Sequence, residues 1–451
     1  MTHSALVQRV RQKIDDKTTV VGVIGLGYVG LPLLVAFHDA GARVIGFDID
    51  PVKIAAIARG ENYLPHLGEG LLRGRAGASF ESTADMSRLG ECDALLICVH
   101  TPLGPHREPD LSFVVDTAAS VGRVLRPGQI VVLESSTYPG TTRHELLGAL
   151  LDARRAAGGA WTPTLGADLF VAFSPEREDP GRQGHTTRTI PKIVGGLDDA
   201  STTLAAALYA QAIEKVIPVR TAEVAETAKL LENIFRGVNI ALVNELKVVL
   251  DAMGIDIWEV IAAASSKPFG FMPFYPGPGL GGHCIPIDPF YLAWKAKEVG
   301  QTARFIELAG EVNHAMPRYV VDKLVGALNA RGRAVRGSRI LVLGLAYKPD
   351  IADVRESPAL ELIELLGDLG AHVEYSDPHV PRTHRMRRYD LKLESVSLSP
   401  SSVASYDALL LATHHRAFDY AMIAQHARLV VDTRNALRAF ATQMGDRLVR
   451  A

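Results

Sequence analysis

Apolar and polar positions fall into the same order near both ends of the chain. Near the start, VVGVIGLGYVG from Val20 leads into a helical stretch and then into GARVIGFDID from Gly41. After Arg339, ILVLGLAYK leads into ALELIELLGDLGAHVEYSDP, and DALLICVHTP from Asp93 is echoed by DALLLATHH from Asp407. Each unit reads as buried strand, glycine turn, helix, Gly-Ala, strand and closing Asp, which is the βαβ pattern of a doubly wound parallel sheet. Two α/β domains are therefore predicted to bracket the chain. The uncharged run from Val20 to Phe37 also imitates a signal anchor after Lys17, but four glycines and Pro32 interrupt it. A buried strand feeding a glycine turn fits that run better than a membrane helix.

Between the two units, Thr221 to Gly254 carries Val224, Ala228, Leu231, Phe235, Val238, Leu242, Leu246 and Val249 three and four apart, the spacing of a helical packing seam. A second helix is predicted to begin near Asp256. The domains expected are residues 1–214, a central helical block at 215–320 and residues 331–451, with RGRAVRG as the linker into the last. The central block would join the α/β domains and dimerise through leftover apolar surface, or serve only as a connection. Residues 381–402 form a polar, basic, Ser-rich excursion without clear period.

Composition adds exclusions. A length of 451 residues fits two or three domains. With 47% hydrophobic and 22% charged residues the chain is neither disordered nor fibrous. Lys plus Arg is 48 against 50 for Asp plus Glu, so bulk charge steers it to neither nucleic acid nor an anionic membrane. Cys92, Cys98 and Cys284 match no disulfide framework and no metal-ligand spacing, so no metal is expected and a reducing cytoplasm is the natural setting.

Chemistry concentrates in a few places. Gly25, Gly27 and Gly30, with Tyr28 and Val29 inside the motif, form G-L-G-Y-V-G after a strand and before a helix, as dinucleotide binding requires. Asp48, closing the next strand, would accept from ribose hydroxyls and repel a 2′-phosphate, favouring NAD over NADP. PGPGLGGHCIPID delivers Cys284, a candidate nucleophile, just ahead of a helix beginning near Asp288 and Pro289. Asp288 reads equally as an N-cap. Lys229, Asn233 and Arg236 share one helix face, either a solvated stripe or a set of donors for an oxyanion. Glu176, in SPEREDPG after the strand LFVAF, is a candidate base or a surface-turn residue. Cys92 and Cys98 read as small core residues.

In this order, GLGYVGLP, SSTYPGTT, SPER, the Lys229/Asn233 pair, GPGLGGHCIPIDP and GLAYKPDIADVRESP resemble the UDP-sugar 6-dehydrogenases, over residues 18–440. The resemblance implies an N-terminal NAD-binding Rossmann domain, a central dimerising helix and a C-terminal Rossmann-like domain that holds the UDP-sugar. It implies a four-electron oxidation of the sugar C6 from alcohol to carboxylate, with two NAD+ consumed. On matching positions, Cys284 would pass through a thiohemiacetal and a thioester. Lys229 and Asn233 would stabilise the oxyanion, Asp288 would position water, and Glu176 and Thr137 would assist proton transfer. Lys53, Thr101, Thr137 and Arg355 would join the cofactor site. Arg236, Tyr275, Leu280, Tyr347 and Lys348 would join Glu176, Lys229 and Asn233 around the UDP-sugar.

The UDP-glucose branch typically has a second Glu four residues after the position of Glu176, where this chain has Pro180. SPEREDPG and GGHCIPIDPFYL instead resemble the branch acting on UDP-N-acetylhexosamines for polysaccharide precursors, most like UDP-N-acetylglucosamine; UDP-N-acetylmannosamine and UDP-glucose are the alternatives. Two rivals are a two-electron hydroxyacid dehydrogenase, which needs neither Cys284 nor a second nucleotide domain, and a catalytically silent nucleotide-sugar or NAD sensor.

Overall fold

The computed structural model describes residues 3–64, 67–68, 70–104, 108–177, 186–282, 285–386 and 389–451. Cys284 and Pro180 lie outside them. The chain divides into two compact units, Met1–Glu232 with Trp294–Gln301, and Asn233–Ala293 with Thr302–Ala451.

The first unit is built on eight strands: β1 (Val20–Ile24), β2 (Arg43–Phe47), β3 (Phe80–Thr83), β4 (Ala94–Ile97), β5 (Gln129–Leu133), β6 (Leu169–Phe173), β7 (Lys192–Gly196) and β8 (Val216–Pro218). Their order is β3-β2-β1-β4-β5-β6-β7-β8. The first six are parallel, while β7 pairs antiparallel with β6. β4, β5 and β6 are buried throughout because helices cover both faces, so their sequences are continuous apolar runs. The predicted run at Val20 becomes β1, a glycine turn and the helix Gly30–Asp39.

The second unit carries β9 (Arg339–Leu343), β10 (His372–Ser376), β11 (Ala408–Leu411), β12 (Val430–Asp432) and β13 (Leu448–Arg450), all parallel in the order β10-β9-β11-β12-β13. The sequence repeat is a structural repeat. The Asp that begins each DALL segment accepts the amide at the head of the first strand, Asp93 from Val20 at 3.1 Å and Asp407 from Arg339 at 2.9 Å. The same βαβ grammar is thus pinned by the same hydrogen bond in both units.

A 31-residue helix, Ala222–Ala252, runs through both units, followed by Ile257–Ala264, which begins near Asp256 as expected and is capped by its side chain, and by Asp288–Glu298 and Arg304–Asn329. The long helix has its polar and apolar faces reversed. Glu226, Lys229, Asn233, Asn244 and Lys247 are buried, while Leu231 is 63% and Leu242 52% exposed, and Val224, Phe235, Leu246 and Val249 are exposed with them. The expected seam is therefore an outward stripe. Among the described residues no helix is long and apolar enough to cross a membrane.

Candidate active site

In the first unit the glycine turn is shaped by close approach. Gly25 has φ +90°, and a Cβ there would lie 2.6 Å from the Cys98 carbonyl; one on Gly30 would lie 2.0 Å from the Gly25 carbonyl. Nothing lies within 4 Å of a Cβ built on Gly27, so the turn presents open backbone there, framed by Tyr28 and by Val29 at the cap of the helix Gly30–Asp39. Asp48 directly follows β2 and is buried; it accepts from the Leu26 and Asp50 amides and from Lys53, each at 2.9 Å. Burial pushes its carboxyl up, but the Lys53 and backbone hydrogen bonds outweigh this and hold it below the usual carboxylate range. Thr101 and Thr137 are buried after β4 and β5, and Thr137 Oγ1 has no hydrogen-bond partner among the described residues. A spare buried hydroxyl, an open glycine turn and a buried carboxylate fit a dinucleotide.

Glu176 follows β6 and pairs with Lys229 at 3.7 Å, both side chains being largely buried. The surface-turn and solvated-stripe readings are therefore corrected. Burial pushes the Glu176 carboxyl up, against the pull of Lys229 and Lys192. One turn before Lys229, buried Glu226 accepts from the Gly140 amide at 2.6 Å and from the Thr142 amide and hydroxyl at 2.9 and 2.7 Å. Burial pushes Glu226 up to about 7. It ties the loop that carries Thr137 to the helix that carries Lys229.

In the second unit Asn233 donates to Asp288 at 2.6 Å, and both are buried. Asp288 is the first helical residue, so the expected N-cap position falls one residue earlier. Arg236 stands exposed and is not gathered with them. The glycine loop ahead of Cys284 is anchored at several points. Gly277 donates to Asn244 at 3.0 Å, Gly282 donates to the Arg355 carbonyl at 2.9 Å, and a Cβ on Gly281 would lie 2.5 Å from Tyr347 Cβ. Leu280 lies in this loop, and Lys348 follows Tyr347, both half-buried. Tyr275 is exposed and stacks on Trp258, ring centroids 5.6 Å apart. Arg355 donates to Asp353 at 2.6 Å.

Four residues that sequence reading passed over belong to these sites. Glu134 and Lys192 form a buried ion pair near Glu176, Glu226 holds the Thr137 loop, and Arg434 points its guanidinium at Gly277. Burial lowers Arg434 to about 10. The only signals were a lone lysine opening the strand KIVGG and a lone Glu closing VVLE.

The second glycine turn differs from the first. Asp377, the counterpart of Asp48, accepts from the Leu345, Ala346, His379 and Val380 amides and from His415, so its oxygens serve the turn itself. Asp350, His379 and His415 approach one another closely enough to hold a metal ion. His415 is committed elsewhere: its Nδ1 accepts from the Asp350 amide and its Nε2 faces Asp377.

An NAD-type turn, a buried acid-base pair and a second α/β unit beside an anchored glycine loop define a nucleotide-dependent oxidoreductase. The chain belongs to the UDP-glucose/GDP-mannose dehydrogenase family: the family's NAD binding domain matches residues 19–213, its central domain 223–315 and its UDP binding domain 341–439. It is 35% identical over 403 residues to a UDP-N-acetyl-D-glucosamine 6-dehydrogenase of Pseudomonas aeruginosa, covering 89% of this chain and 92% of the relative. It is 34% identical over 430 residues to a UDP-N-acetyl-D-mannosamine dehydrogenase of Salmonella typhi, covering 93% and 99%. The structure of the UDP-D-ManNAc dehydrogenase from Pyrococcus horikoshii matches with a TM-score of 0.80 at 31% identity, covering 92% of this chain and 95% of that one. The protein is an NAD-dependent UDP-sugar dehydrogenase.

Proposed function

We propose that the enzyme oxidises UDP-N-acetylglucosamine at C6 to the uronic acid in two successive two-electron steps. The observation that carries the reading is the long helix with its catalytic-type residues turned inward, Lys229 paired with Glu176 and, one turn on, Asn233 paired with Asp288. A buried amine and amide one turn apart suit an oxygen that gains negative charge as C6 changes oxidation state.

NAD, held by the Gly25–Gly30 turn, Asp48, Lys53, Thr101 and Thr137, supplies the hydride acceptor for each oxidation. Arg355 is assigned to the cofactor as well. Cys284 adds through sulfur to the C6 aldehyde, giving a thiohemiacetal whose oxidation leaves a thioester; water then releases the carboxylate and the thiol. Lys229 and Asn233 hold the C6 oxygen. Asp288 orients the water, and Glu176 and Thr137 carry protons. Glu176 suits this because burial raises its proton affinity while Lys229 stabilises its charged form. Tyr275, Leu280, Tyr347 and Lys348 are assigned to the UDP-sugar, whereas Arg236, being exposed, has the weakest support.

Residues 1–214, 215–320 and 331–451 are assigned to NAD binding, dimerisation and UDP-sugar binding. The exposed stripe of the long helix supports a homodimer, and a cytoplasmic setting in polysaccharide precursor synthesis accompanies the reading. UDP-N-acetylmannosamine is the second reading, since relatives named for either sugar match almost equally well. The deciding experiment is NADH formation measured in parallel with UDP-glucose, UDP-N-acetylglucosamine, UDP-N-acetylmannosamine and UDP-galactose. The highest kcat/KM with UDP-N-acetylglucosamine is expected; a preference for another sugar overturns that assignment.

A further inference from the structure

A charged cluster lies behind Glu176, in the interior of the first unit. Glu134, at the end of β5, accepts from Lys192 through one carboxylate oxygen and from the Tyr209 hydroxyl through the other. Glu134 is 1% exposed, Lys192 8% and Tyr209 0%. The Lys192 ammonium also donates to the Pro175 carbonyl at 3.2 Å, the residue directly before Glu176, and lies 5.1 Å from the centre of the Tyr209 ring. Two further bonds hold the same short segment to β7 and its approach: Ser174 donates to the Ile193 carbonyl at 2.8 Å, and Arg177 to the Pro191 carbonyl at 2.8 Å. Glu134, Glu176, Lys192, Arg177 and Val29 line one cavity of about 20 Å³, enough for a water molecule.

Burying an ion pair is a poor way to gain stability, because desolvating two charges offsets most of their attraction. Well-packed apolar residues would serve the fold as well. The pair therefore calls for another role, and its neighbour in the cavity is the acid-base candidate.

We propose that Lys192 is a positioning residue that acts through Glu176. It fixes the carbonyl before Glu176 and presents a positive charge to its carboxylate across a shared cavity, with Glu134 and Tyr209 holding the ammonium in place. The proposal rests on the role given to Glu176 above. Among the described residues the charged groups that act on Glu176 include Lys229 on the long helix, Lys192 on β7 and Glu134 just after β5; the two lysines favour its ionised form and Glu134 opposes it.

The two members of the pair therefore act on Glu176 with opposite sign. In Glu134→Gln, which keeps the shape and an acceptor for Tyr209, the acid limb of the kcat–pH profile moves to lower pH. In Lys192→Met it moves to higher pH, and kcat at its optimum falls about tenfold or more as the segment loses its anchor. Lys192→Arg restores the limb to near the wild-type position. Should Lys192→Met fail to fold, Glu134→Gln and Lys192→Arg still carry the test. A merely structural pair would lower the melting temperature and leave the limb in place. Limbs that stay put, or that move the same way in Glu134→Gln and Lys192→Met, overturn the proposal. The same shifts are read without turnover by titrating the Glu176 carboxyl carbon by NMR, its signal identified by its loss in Glu176→Gln. If the wild type reduces no NAD with any UDP-sugar, the proposed function fails, while the carboxyl titration still decides the role of Lys192.

Discussion

In the proposed mechanism Cys284 and Lys229 have different jobs, so their replacements should fail differently. Cys284→Ser keeps the loop's shape but offers a poor nucleophile and leaving group, so the second oxidation should stall while NAD and UDP-sugar still bind. Intact mass should then show either no adduct or a trapped ester. Lys229→Ala should lower kcat about a hundredfold or more, the scale of one lost oxyanion donor, with no trapped species. Near-normal turnover by Cys284→Ser at an unchanged melting temperature would remove the covalent route. Glu226 yields a stability prediction. Its folded pKa, about 7, lies above the ordinary 4.5. The folded chain therefore binds more protons than the unfolded chain between those values. The associated stability is full below about pH 4.5 and is lost as pH rises through about 7, roughly 3 kcal/mol in all. Urea unfolding of wild type and Glu226→Gln from pH 5 to 8 should show the wild type losing about that much relative to the variant; a constant difference would contradict it. Gly25, Asp48, Lys229 and Asn233 were legible as candidates because each sits at a fixed offset in or directly after one element. Glu134 and Lys192 could not, since they meet only once β5 and β7 are placed in one sheet, 58 residues apart.

At the scale of the element, the long helix was readable in extent but not in sense. Its apolar spacing predicts a packing seam, and periodicity alone cannot say whether a seam packs inward on its own chain. Here the inward face mixes buried Ala225, Leu230, Ala241 and Val243 with polar residues that buried partners satisfy: Glu226 takes backbone amides, Asn233 donates to Asp288, and Asn244 pairs with Asn313 at 2.9 Å. The outward stripe of Leu231, Phe235, Leu242 and Val249 is exposed, and it is the surface that the proposed homodimer would bury. Leu231→Glu combined with Leu242→Glu should convert dimer to monomer by sedimentation equilibrium, with helix content by circular dichroism unchanged. A wild type that is monomeric at micromolar concentration would contradict the assignment.

Across the whole molecule, the repeat was legible because βαβ units write their strands, turns and closing Asp into contiguous sequence. What the repeat concealed is that its two halves use that Asp differently. Asp48 takes the Leu26 and Asp50 amides and the Lys53 ammonium, whereas Asp377 takes four amides and His415. Packing adds nothing at Cys284, which lies outside the described residues, so its proposed role as nucleophile rests on its motif alone.

In the proposed mechanism one enzyme carries out both oxidations. The most direct measurement is the ratio of NADH formed to UDP-sugar consumed, followed by absorbance and by separation of the nucleotide sugars. Two NADH and one uronic acid per UDP-sugar, with no free aldehyde, is the result expected. One NADH per sugar, with aldehyde accumulating, would contradict it.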